Sequence, residues 1–161
     1  MIRKEILDKL IPITEEESEI LHGKGVDKSI YTTTGGNVIR SKKLLVDGKL
    51  IRVRKHTRFV HFPRHTHDYI EAVYMCQGKT THIINGKRIE LCEGELLLLG
   101  QNATQEILPA NENDIAVNFI VLPQFFDTSL ELIGSDNVLG RFIADSVRRS
   151  EGIDSLLFHV S

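Results

Sequence analysis

Two histidines and a glutamate lie close together in the stretch His65-Thr-His67-Asp-Tyr69-Ile-Glu71. Side chains alternate between the two faces of a strand, so on a single strand His65, His67, Tyr69 and Glu71 would all point to one side. Imidazoles and a carboxylate that converge inside a β-barrel can bind a small polar ligand or a divalent metal ion. We therefore predict that these four side chains line one site.

The spacing of these residues resembles a known motif. The pattern H-x-H-x3-E-x6-G, which ends at Gly78, is similar to the first motif of the cupin superfamily. Residues 94–105 resemble its second motif, G-x5-P-x-G-x2-H, but differ at three positions. Gly100 replaces the proline, Asn102 replaces the second glycine, and Gln105 replaces the histidine that is the third metal ligand of the family. The resemblance implies that Gln105 lines the same site.

This set of residues supports two interpretations. As a metal site, His65, His67, Glu71 and Gln105 would offer two imidazoles, one carboxylate and one amide oxygen, which is a weak ligand for soft or borderline metals. A divalent metal would then bind weakly and would not be needed for folding. As a ligand pocket, the same residues and Tyr69 would hydrogen-bond a small polar molecule without any cofactor. We favour the ligand pocket.

Short strands separated by turns are predicted around these residues. The pair Asn85-Gly86 predicts a tight hairpin, and Asp47-Gly48 predicts another within residues 44–53. The predicted strands are 56–62, 69–77, 79–84, 87–91, 95–99, 104–108, 114–122 and 153–160. Together with the cupin-like motifs, this pattern predicts a mainly β fold, the cupin double-stranded β-helix or jelly-roll barrel.

Helices are predicted on both sides of the barrel in the sequence. Apolar residues within 2–10 recur at helical spacing, and residues 14–17 form a capping box before a second short helix. Residues 124–133 and 138–149 show the apolar periodicity of two further helices. The fold is therefore expected to carry short N-terminal helices and C-terminal helices around its barrel.

The chain has 161 residues, a net charge of −2 and no apolar run long enough to span a membrane. Its first residues lack the apolar core of a signal peptide, so we expect a cytoplasmic protein. This length is enough for one well-buried core. We divide the chain into an N-terminal segment with the barrel (1–123, core motifs 56–122) and a C-terminal helical segment that ends in a strand (124–161).

Nine basic residues lie within residues 40–64, against the single acidic residue Asp47. Such a density could contact nucleic acid or an anionic ligand. Arg52 and Arg54 share one strand face, so they could flank the barrel mouth. The acidic residues within 15–19 are an obvious partner inside the chain, and we favour a solvated strand face paired with them.

Taken together, the motifs resemble the N-terminal cupin domain of AraC-type transcription regulators. The resemblance rests on the histidine and glutamate pattern at 65–71, the Asn-Gly hairpin at 84–86, the strand Gly94-Glu95-Leu-Leu-Leu-Leu99 and the helices that follow. It implies a domain that binds a small polar effector, with sugars as the commonest class in the family. The helix-turn-helix units that follow in the family are absent from this chain, so the natural polypeptide is expected to continue and to contact DNA only through that part.

The second C-terminal helix carries an apolar stripe that includes Leu139, Phe142, Ile143 and Val147. Regulators of this type often pair through such helices, and these four residues would then lie at a homodimer interface. The stripe could instead pack on its own barrel, and we favour the dimer. The alternative function is a small metal-dependent cupin enzyme, an isomerase or dioxygenase. The missing third histidine and the trailing helices favour the regulator, so no catalytic activity is expected.

Overall fold

The computed structural model describes residues 2–33, 36–127, 129–134, 136–148 and 151–160. Two predicted ends, that of the last helix at Arg149 and that of the C-terminal segment at Ser161, lie outside these residues. Within the described part of the chain, no helix is both long enough and apolar enough to cross a membrane.

Two five-stranded sheets form the body of the molecule. In spatial order, the first sheet contains β1 (Val38–Ile39), β3 (Phe62–His67), β8 (Gln105–Ile107), β5 (Lys79–Ile84) and β6 (Lys87–Cys92). The second sheet contains β10 (Ser155–His159), β7 (Glu95–Leu99), β4 (Ile70–Gln77), β9 (Ile115–Val121) and β2 (Ile51–Lys55). Strand β1 runs parallel to β3, and the other observed pairs are antiparallel. The mainly β, cupin-like jelly-roll fold predicted from the sequence is confirmed.

The main core lies between the two sheets. Each strand places every second side chain on one face, so alternate residues of the two sheets point inward and are buried between them. The buried members of this core are Val73, Met75, Ile84, Leu91, Leu97, Leu99, Ala103 and Ala116. Burial of this apolar area stabilises the sandwich.

Four helices precede or interrupt the first strands: α1 (Lys4–Leu10), α2 (Glu15–Leu21), α3 (Lys28–Tyr31) and α4 (Ser41–Leu44). The capping box of α2 is confirmed, because Glu17 N donates to Thr14 Oγ1 at 3.2 Å and Thr14 N donates to Glu17 Oε2 at 3.0 Å. Helix α1 covers the outer face of the second sheet, where Leu7 and Leu10 pack near the buried Ile115.

The two predicted hairpins have different outcomes. Asn85 and Gly86 have φ values of 49° and 80°, as a two-residue turn between β5 and β6 requires, so that hairpin is confirmed. The hairpin predicted at 44–53 is wrong. Gly48 does adopt a positive φ of 79°, but the turn connects the end of α4 to β2, and β2 pairs with β9.

The strand predicted at 56–62 is also wrong. Residues 56–61 are irregular, and β3 begins only at Phe62. The backbone leaves the extended region at Phe59, whose φ is 69°, and the neighbouring Arg58 side chain is fully buried against Glu17. The contact with α2 has therefore replaced strand pairing at this point.

The C-terminal segment begins with a 3-10 helix (Pro123–Phe126), which is followed by α5 (Ser129–Ile133) and α6 (Val138–Arg148). The helix predicted at 124–133 is thus divided in two, and the helix predicted from Val138 is confirmed. Helix α6 packs on the outer face of the second sheet, where Phe142 and Ile143 are 1% and 2% exposed and contact the cluster around Ile70.

This packing corrects the predicted dimer interface. Phe142 and Ile143 face their own barrel, and Val147 packs partly buried against the same cluster. Of the four residues expected at a dimer interface, only Leu139 is substantially exposed, at 37%. The apolar stripe is therefore used mainly inside the chain, because the outer face of the second sheet is itself apolar and needs a cover.

Candidate functional site

The predicted site residues come together, but not on one strand. His65 and His67 belong to β3 of the first sheet, whereas Glu71 belongs to β4 of the second, and the chain bends between them at Asp68 and Tyr69. The side chains converge because the two sheets face each other, and His67 Nε2 lies 3.3 Å from Glu71 Oε2. The prediction of convergence is confirmed, and its single-strand explanation is wrong.

Gln105 and Tyr69 complete the predicted group. Gln105 lies on β8, directly opposite His65 in the sheet, and its Oε1 is 3.5 Å from His67 Nε2. The ring of Tyr69 stacks on the ring of His67 with centroids 4.8 Å apart. His65 donates from Nδ1 to the carbonyl of Pro63 at 2.8 Å. All five predicted residues are therefore buried neighbours at one end of the sandwich.

Sequence reasoning missed His56 and Asn118 in this group. His56 Nδ1 lies 3.2 Å from Asn118 Oδ1, and Asn118 Nδ2 donates to Glu71 Oε1 at 2.8 Å. Asn118 was detectable, because it is the one amide in the apolar stretch of β9, and an isolated polar residue in a covered strand needs a polar partner. His56 carried no comparable signal.

His82 and Thr80 extend the network along β5. Gln105 Nε2 lies 3.0 Å from His82 Nδ1, and His82 Nε2 lies 2.9 Å from Thr80 Oγ1. Thr80 in turn donates from Oγ1 to the sulfur of Met75 at 3.6 Å. A chain of hydrogen bonds therefore runs from the polar end of the sandwich into its apolar core, and it satisfies polar groups that would otherwise be costly to bury.

The charges in this network are fixed by burial and by neighbours. Burial lowers the pKa of His56 and His65, and it lowers the pKa of His82 to about 3, so these rings are neutral at pH 7. Burial alone would raise the pKa of Glu71, but the contacts with His67 and Asn118 outweigh it and hold that pKa at about 2. The site thus presents the Glu71 carboxylate near the neutral rings of His56, His65 and His82.

A small cavity lies against these residues. It has a volume of about 40 Å³, and its polar wall includes His56, His65, Glu71, Gln105 and Asn118. The remaining wall contains Arg54, Lys55 and Thr57 together with apolar and aromatic side chains, among them Tyr31, Phe62, Tyr69, Ile107 and Ile120. Because one water occupies roughly 10–15 Å³ by this kind of measure, the cavity is large enough for a few waters or a very small molecule.

A wider surface groove adjoins the cavity. The groove has a volume of about 310 Å³ and shares Arg54, Lys55, His56 and Thr57 with the lining of the cavity. Between them, Tyr31 donates its hydroxyl to Glu16 Oε1 at 2.5 Å. Arg54 lies 3.6 Å from Glu16 Oε2 and 5.2 Å above the Tyr31 ring. Glu16 of α2 therefore lines the groove and contacts two residues of the cavity lining, Tyr31 and Arg54.

Three members of the basic run pair with the acidic run inside the chain, as the sequence predicted, but their side chains are largely buried and do not form the predicted solvated face. Besides the contact between Arg54 and Glu16, Lys55 Nζ lies 3.0 Å from Glu17 Oε2. Arg58 binds the same carboxylate with Nε at 2.8 Å from Oε1 and Nη2 at 2.8 Å from Oε2. Both Arg58 and Glu17 are fully buried, so this bidentate pair anchors α2 to the sandwich.

The geometry does not suit a tightly bound metal. Among the described residues, no group of three or more histidine, cysteine, aspartate or glutamate side chains is arranged to hold a metal ion. Gln105 stands where a third imidazole would be needed, and its Oε1 already faces His67 Nε2. The residues therefore do not fit a transition metal that would require a closed set of ligands.

We expect protein purified without added metal to contain far less than one equivalent of zinc, iron or manganese. A chelator should leave its melting temperature unchanged, because the fold does not depend on a metal for its polar contacts. Elemental analysis before and after chelation measures both quantities. A stoichiometric transition metal that survives the chelator would contradict this prediction.

The chain is similar in sequence to one known family and in structure to several known proteins. A model of the AraC-like ligand binding domain family matches residues 47–160. No curated protein matches the sequence. The structure of ToxT from Vibrio cholerae strain SCE256 with a bound unsaturated fatty acid is similar, with 16% identity and a TM-score of 0.46 over 70% of this chain and 41% of ToxT.

Two shorter proteins are also similar in structure. A cupin protein from Bacteroides fragilis has 23% identity and a TM-score of 0.36, over 45% of this chain and 63% of its own. KdgF from Halomonas sp. has 14% identity and a TM-score of 0.38, over 44% of this chain and 66% of its own. Our chain thus spans less than half the length of the ToxT chain that it matches.

Proposed function

The chain belongs to the AraC-like ligand-binding domain family, and we propose that it is the effector-sensing domain of an AraC-type transcription regulator. The family match runs from the turn before β2 to the end of β10, so it includes both sheets and α6. In this proposal, contact with DNA belongs to a separate domain of the regulator, and the protein acts in the cytoplasm. The domain has no catalytic role of its own.

The observation that carries this proposal is the buried polar cavity. A sandwich interior is normally filled by apolar side chains, and polar groups there are costly unless they are paired. Here Glu71 and His56 line a cavity, and each keeps a buried atom, Glu71 Oε2 and His56 Nε2, without a hydrogen-bond partner among the described residues. Unpaired polar atoms at a cavity wall favour a small polar ligand, which would restore their hydrogen bonds.

The cavity residues divide into two roles in this proposal. His65, Tyr69, Glu71 and Gln105 would contact the effector, since all four line the cavity. His67 does not line it, and would instead position Glu71 and Gln105 through its Nε2. His56 and Asn118 join the contact group, although the sequence did not predict them.

The volume limits what enters without rearrangement. A sugar, the effector class that the family resemblance suggests, is larger than a cavity of about 40 Å³. A sugar would have to extend into the adjoining groove of about 310 Å³, which requires Arg54, Tyr31 and Glu16 to separate. We therefore propose a small polar effector that fits the cavity as it stands. A sugar would bind only after Arg54, Tyr31 and Glu16 have separated.

A thermal-shift screen against small polar metabolites tests the proposal. A bound effector at one hundred times its Kd stabilises a protein by about 2.7 kcal/mol, and each kcal/mol raises the melting temperature of a protein of this size by roughly 2–4 °C. We expect at least one class of compounds to give a shift of several degrees. The shift should be lost in Glu71→Gln, which removes the carboxylate from the cavity.

The matched control is Glu106→Gln, the same substitution on a partly exposed glutamate that contacts His61 outside the cavity. This variant should keep the full shift. Shifts that are equal in Glu71→Gln and in wild type would place binding elsewhere. A complete screen with no shift in the wild-type protein would contradict an effector site in the barrel.

The enzymatic alternative is supported only by the histidine and glutamate triplet. A metal-dependent isomerase or dioxygenase of this fold needs a metal with an open coordination position. Gln105, which stands where the cupin motif has its third histidine, bonds both His67 and His82. These contacts favour a sensing role for the residues over metal catalysis.

We also propose that the domain forms a homodimer through the part of the C-terminal helices that stays exposed. Leu132 of α5 is 87% exposed, and Val138 and Leu139 at the start of α6 are 43% and 37% exposed. A two-fold axis through this region would bury the same apolar residues on both copies. Phe142 and Ile143 would not contact the second copy. They would hold α6 in position by packing it on the barrel.

A further inference from the structure

The hydrogen bonds around Glu71 fix the orientation of Asn118. The Glu71 carboxylate is ionised and can only accept, so the Asn118 group that lies 2.8 Å from Glu71 Oε1 is the amide nitrogen. The amide oxygen of Asn118 consequently faces His56 Nδ1 at 3.2 Å. An amide oxygen only accepts hydrogen bonds, so His56 Nδ1 must carry the proton and donate it.

This assignment leaves His56 Nε2 as a bare acceptor. Burial lowers the pKa of His56, so its ring is neutral and carries one proton, which Nδ1 holds. His56 Nε2 is buried without a hydrogen-bond partner among the described residues. Glu71 Oε2 is likewise a buried acceptor without a hydrogen bond among the described residues, although His67 Nε2 lies 3.3 Å from it. Both side chains are at least nine-tenths buried and both line the cavity.

The same argument assigns the protonated nitrogen of the other imidazoles in the network. His65 donates from Nδ1 to the Pro63 carbonyl, so its Nε2 is an acceptor as well. Gln105 turns its oxygen to His67, so its nitrogen donates to His82 Nδ1. His82 must then donate from Nε2 to Thr80. Within this network the unsatisfied positions are therefore lone pairs. The cavity wall also contains Tyr69 and the Arg54 guanidinium, which lies 3.6 Å from Glu16 and over the Tyr31 ring.

We propose that the cavity selects ligands that bring hydrogen-bond donors to His56 Nε2 and Glu71 Oε2, and that it rejects carboxylates and other groups that can only accept. This inference rests on the proposed function and deepens it, because it gives the ligand chemistry of the same site. Hydroxyl groups of a small diol and the ammonium group of a small amine share the required chemistry. His56 and Asn118 are then specificity-determining residues, since the Asn118 amide decides which nitrogen of His56 faces the ligand.

An acceptor-only ligand would fail for a physical reason. It would place lone pairs against the Glu71 carboxylate and against His56 Nε2, and it would leave both buried acceptors unpaired. Each unpaired buried group lowers affinity by about 10-fold or more. A donor ligand of the same size should therefore bind at least about 10-fold more tightly than a carboxylate.

Nitrogen spectra of the histidine rings test the first half of the inference without any ligand. In the 161-residue chain labelled with ¹⁵N, long-range proton–nitrogen correlations distinguish a protonated from a bare ring nitrogen. We expect His56 to be protonated at Nδ1 and His82 at Nε2, with His56→Gln and His82→Gln used to assign the signals. A His56 ring protonated at Nε2 would overturn the inference and would leave the proposed function standing.

Three probes of similar size test the second half in the same sample: ethylene glycol, methylammonium and formate. We expect ethylene glycol, methylammonium or both to shift the His56 Nε2 signal in a saturable way, with formate at least about 10-fold weaker. The two donor probes separate a diol from an amine. A stronger effect of formate would overturn the inference, and no effect from any probe would overturn the barrel site itself.

The Glu71→Gln variant provides the reverse test. Its amide oxygen would accept from Asn118, so its amide nitrogen would take the place of Glu71 Oε2 and present a donor to the cavity. The preference should then move toward formate by about 10-fold or more. The Glu106→Gln control should keep the wild-type preference, since Glu106 does not line the cavity. An unchanged preference in Glu71→Gln would overturn the inference.

Discussion

An Arg58→Ala variant is expected to lose about 3–5 kcal/mol of unfolding free energy, because it leaves the Glu17 carboxylate buried without its main partner. Both side chains are fully buried, and Arg58 holds Glu17 through two contacts of 2.8 Å. Arg58 also donates to the carbonyls of Ile11 and Glu112. Urea unfolding followed by circular dichroism measures the loss.

The matched control is an exposed ion pair between Glu19 of the same helix and Lys24, just beyond its end. Lys24 lies 2.8 Å from Glu19, at the same separation, but the two side chains are 66% and 51% exposed. Lys24→Ala should cost less than about 1 kcal/mol, since water screens an exposed pair. Equal losses in the two variants would contradict the assignment of Arg58 and Glu17 as the buried anchor of α2.

The same pair predicts how the loss depends on pH. Burial would raise the pKa of Glu17, but the contacts with Arg58, Thr14 and Lys55 outweigh it and lower that pKa to about 2 from the usual 4.5. A carboxyl group with a lowered folded-state pKa stabilises the fold fully above about pH 4.5, and this stabilisation is lost as the pH falls through about 2. The difference between wild type and Arg58→Ala should therefore shrink from pH 5 to pH 2. If the difference in unfolding free energy instead increases as the pH falls from 5 to 2, this explanation is excluded.

Much of the barrel could be predicted from the sequence, because its signals are local. Asn85-Gly86 needs only two residues with positive φ, and both sides of that turn are strands. The capping box at Thr14 and Glu17 is equally local, since its two hydrogen bonds lie within one helical turn. In both cases the residues themselves determine the local backbone conformation, and contacts with residues far away in the sequence do not change it.

The errors arose where distant partners decide the structure. Asp47-Gly48 carries the same hairpin signal, yet its flanks are a short helix and a strand that pairs with β9, about 70 residues later in the sequence, as Ile51 opposite Val121 shows. Residues 56–61 include Thr57, Phe59 and Val60, which favour a strand, but Arg58 among them is buried against α2 and the segment is irregular. Neither the pairing with β9 nor the contact with Glu17 leaves a signal near these residues.

The site follows the same division. His65, His67 and Glu71 were found from their spacing, although the spacing spans two sheets and not one strand. His56 lies on the irregular segment before β3, and it reaches Asn118 across 62 positions of sequence. Only the fold brings His56 and Asn118 together. The predicted ligand chemistry depends on this contact, because it leaves His56 Nε2 as the acceptor that faces the cavity.

Because α6 packs on the second sheet, substitutions on its buried face are also expected to lower stability strongly. Phe142→Ala is expected to lower the unfolding free energy by about 3–5 kcal/mol, because it removes a ring that is 1% exposed and leaves a cavity beside Ile70 and Ile143. Leu139→Ala, one turn earlier on the same helix and 37% exposed, should change stability by less than about 1 kcal/mol. Urea unfolding of the two variants at equal protein concentration measures both.

A variant with glutamate at both Phe142 and Ile143 would not report on dimerisation, since two charges buried against the barrel would unfold the domain. Leu139→Glu is the variant that separates the two uses of the stripe. It places like charges face to face across a two-fold axis while α6 keeps its packing, so we expect folded monomers in sedimentation velocity and an unchanged circular dichroism spectrum. If Leu139→Glu stays folded and still sediments as a dimer, copies of the chain meet at another surface, and α6 serves only to cover the second sheet. If it unfolds, Leu139 contributes to the cluster around Ile70 more than its exposure indicates, and the proposed interface moves to Leu132 of α5, which is 87% exposed and can be tested by the same substitution.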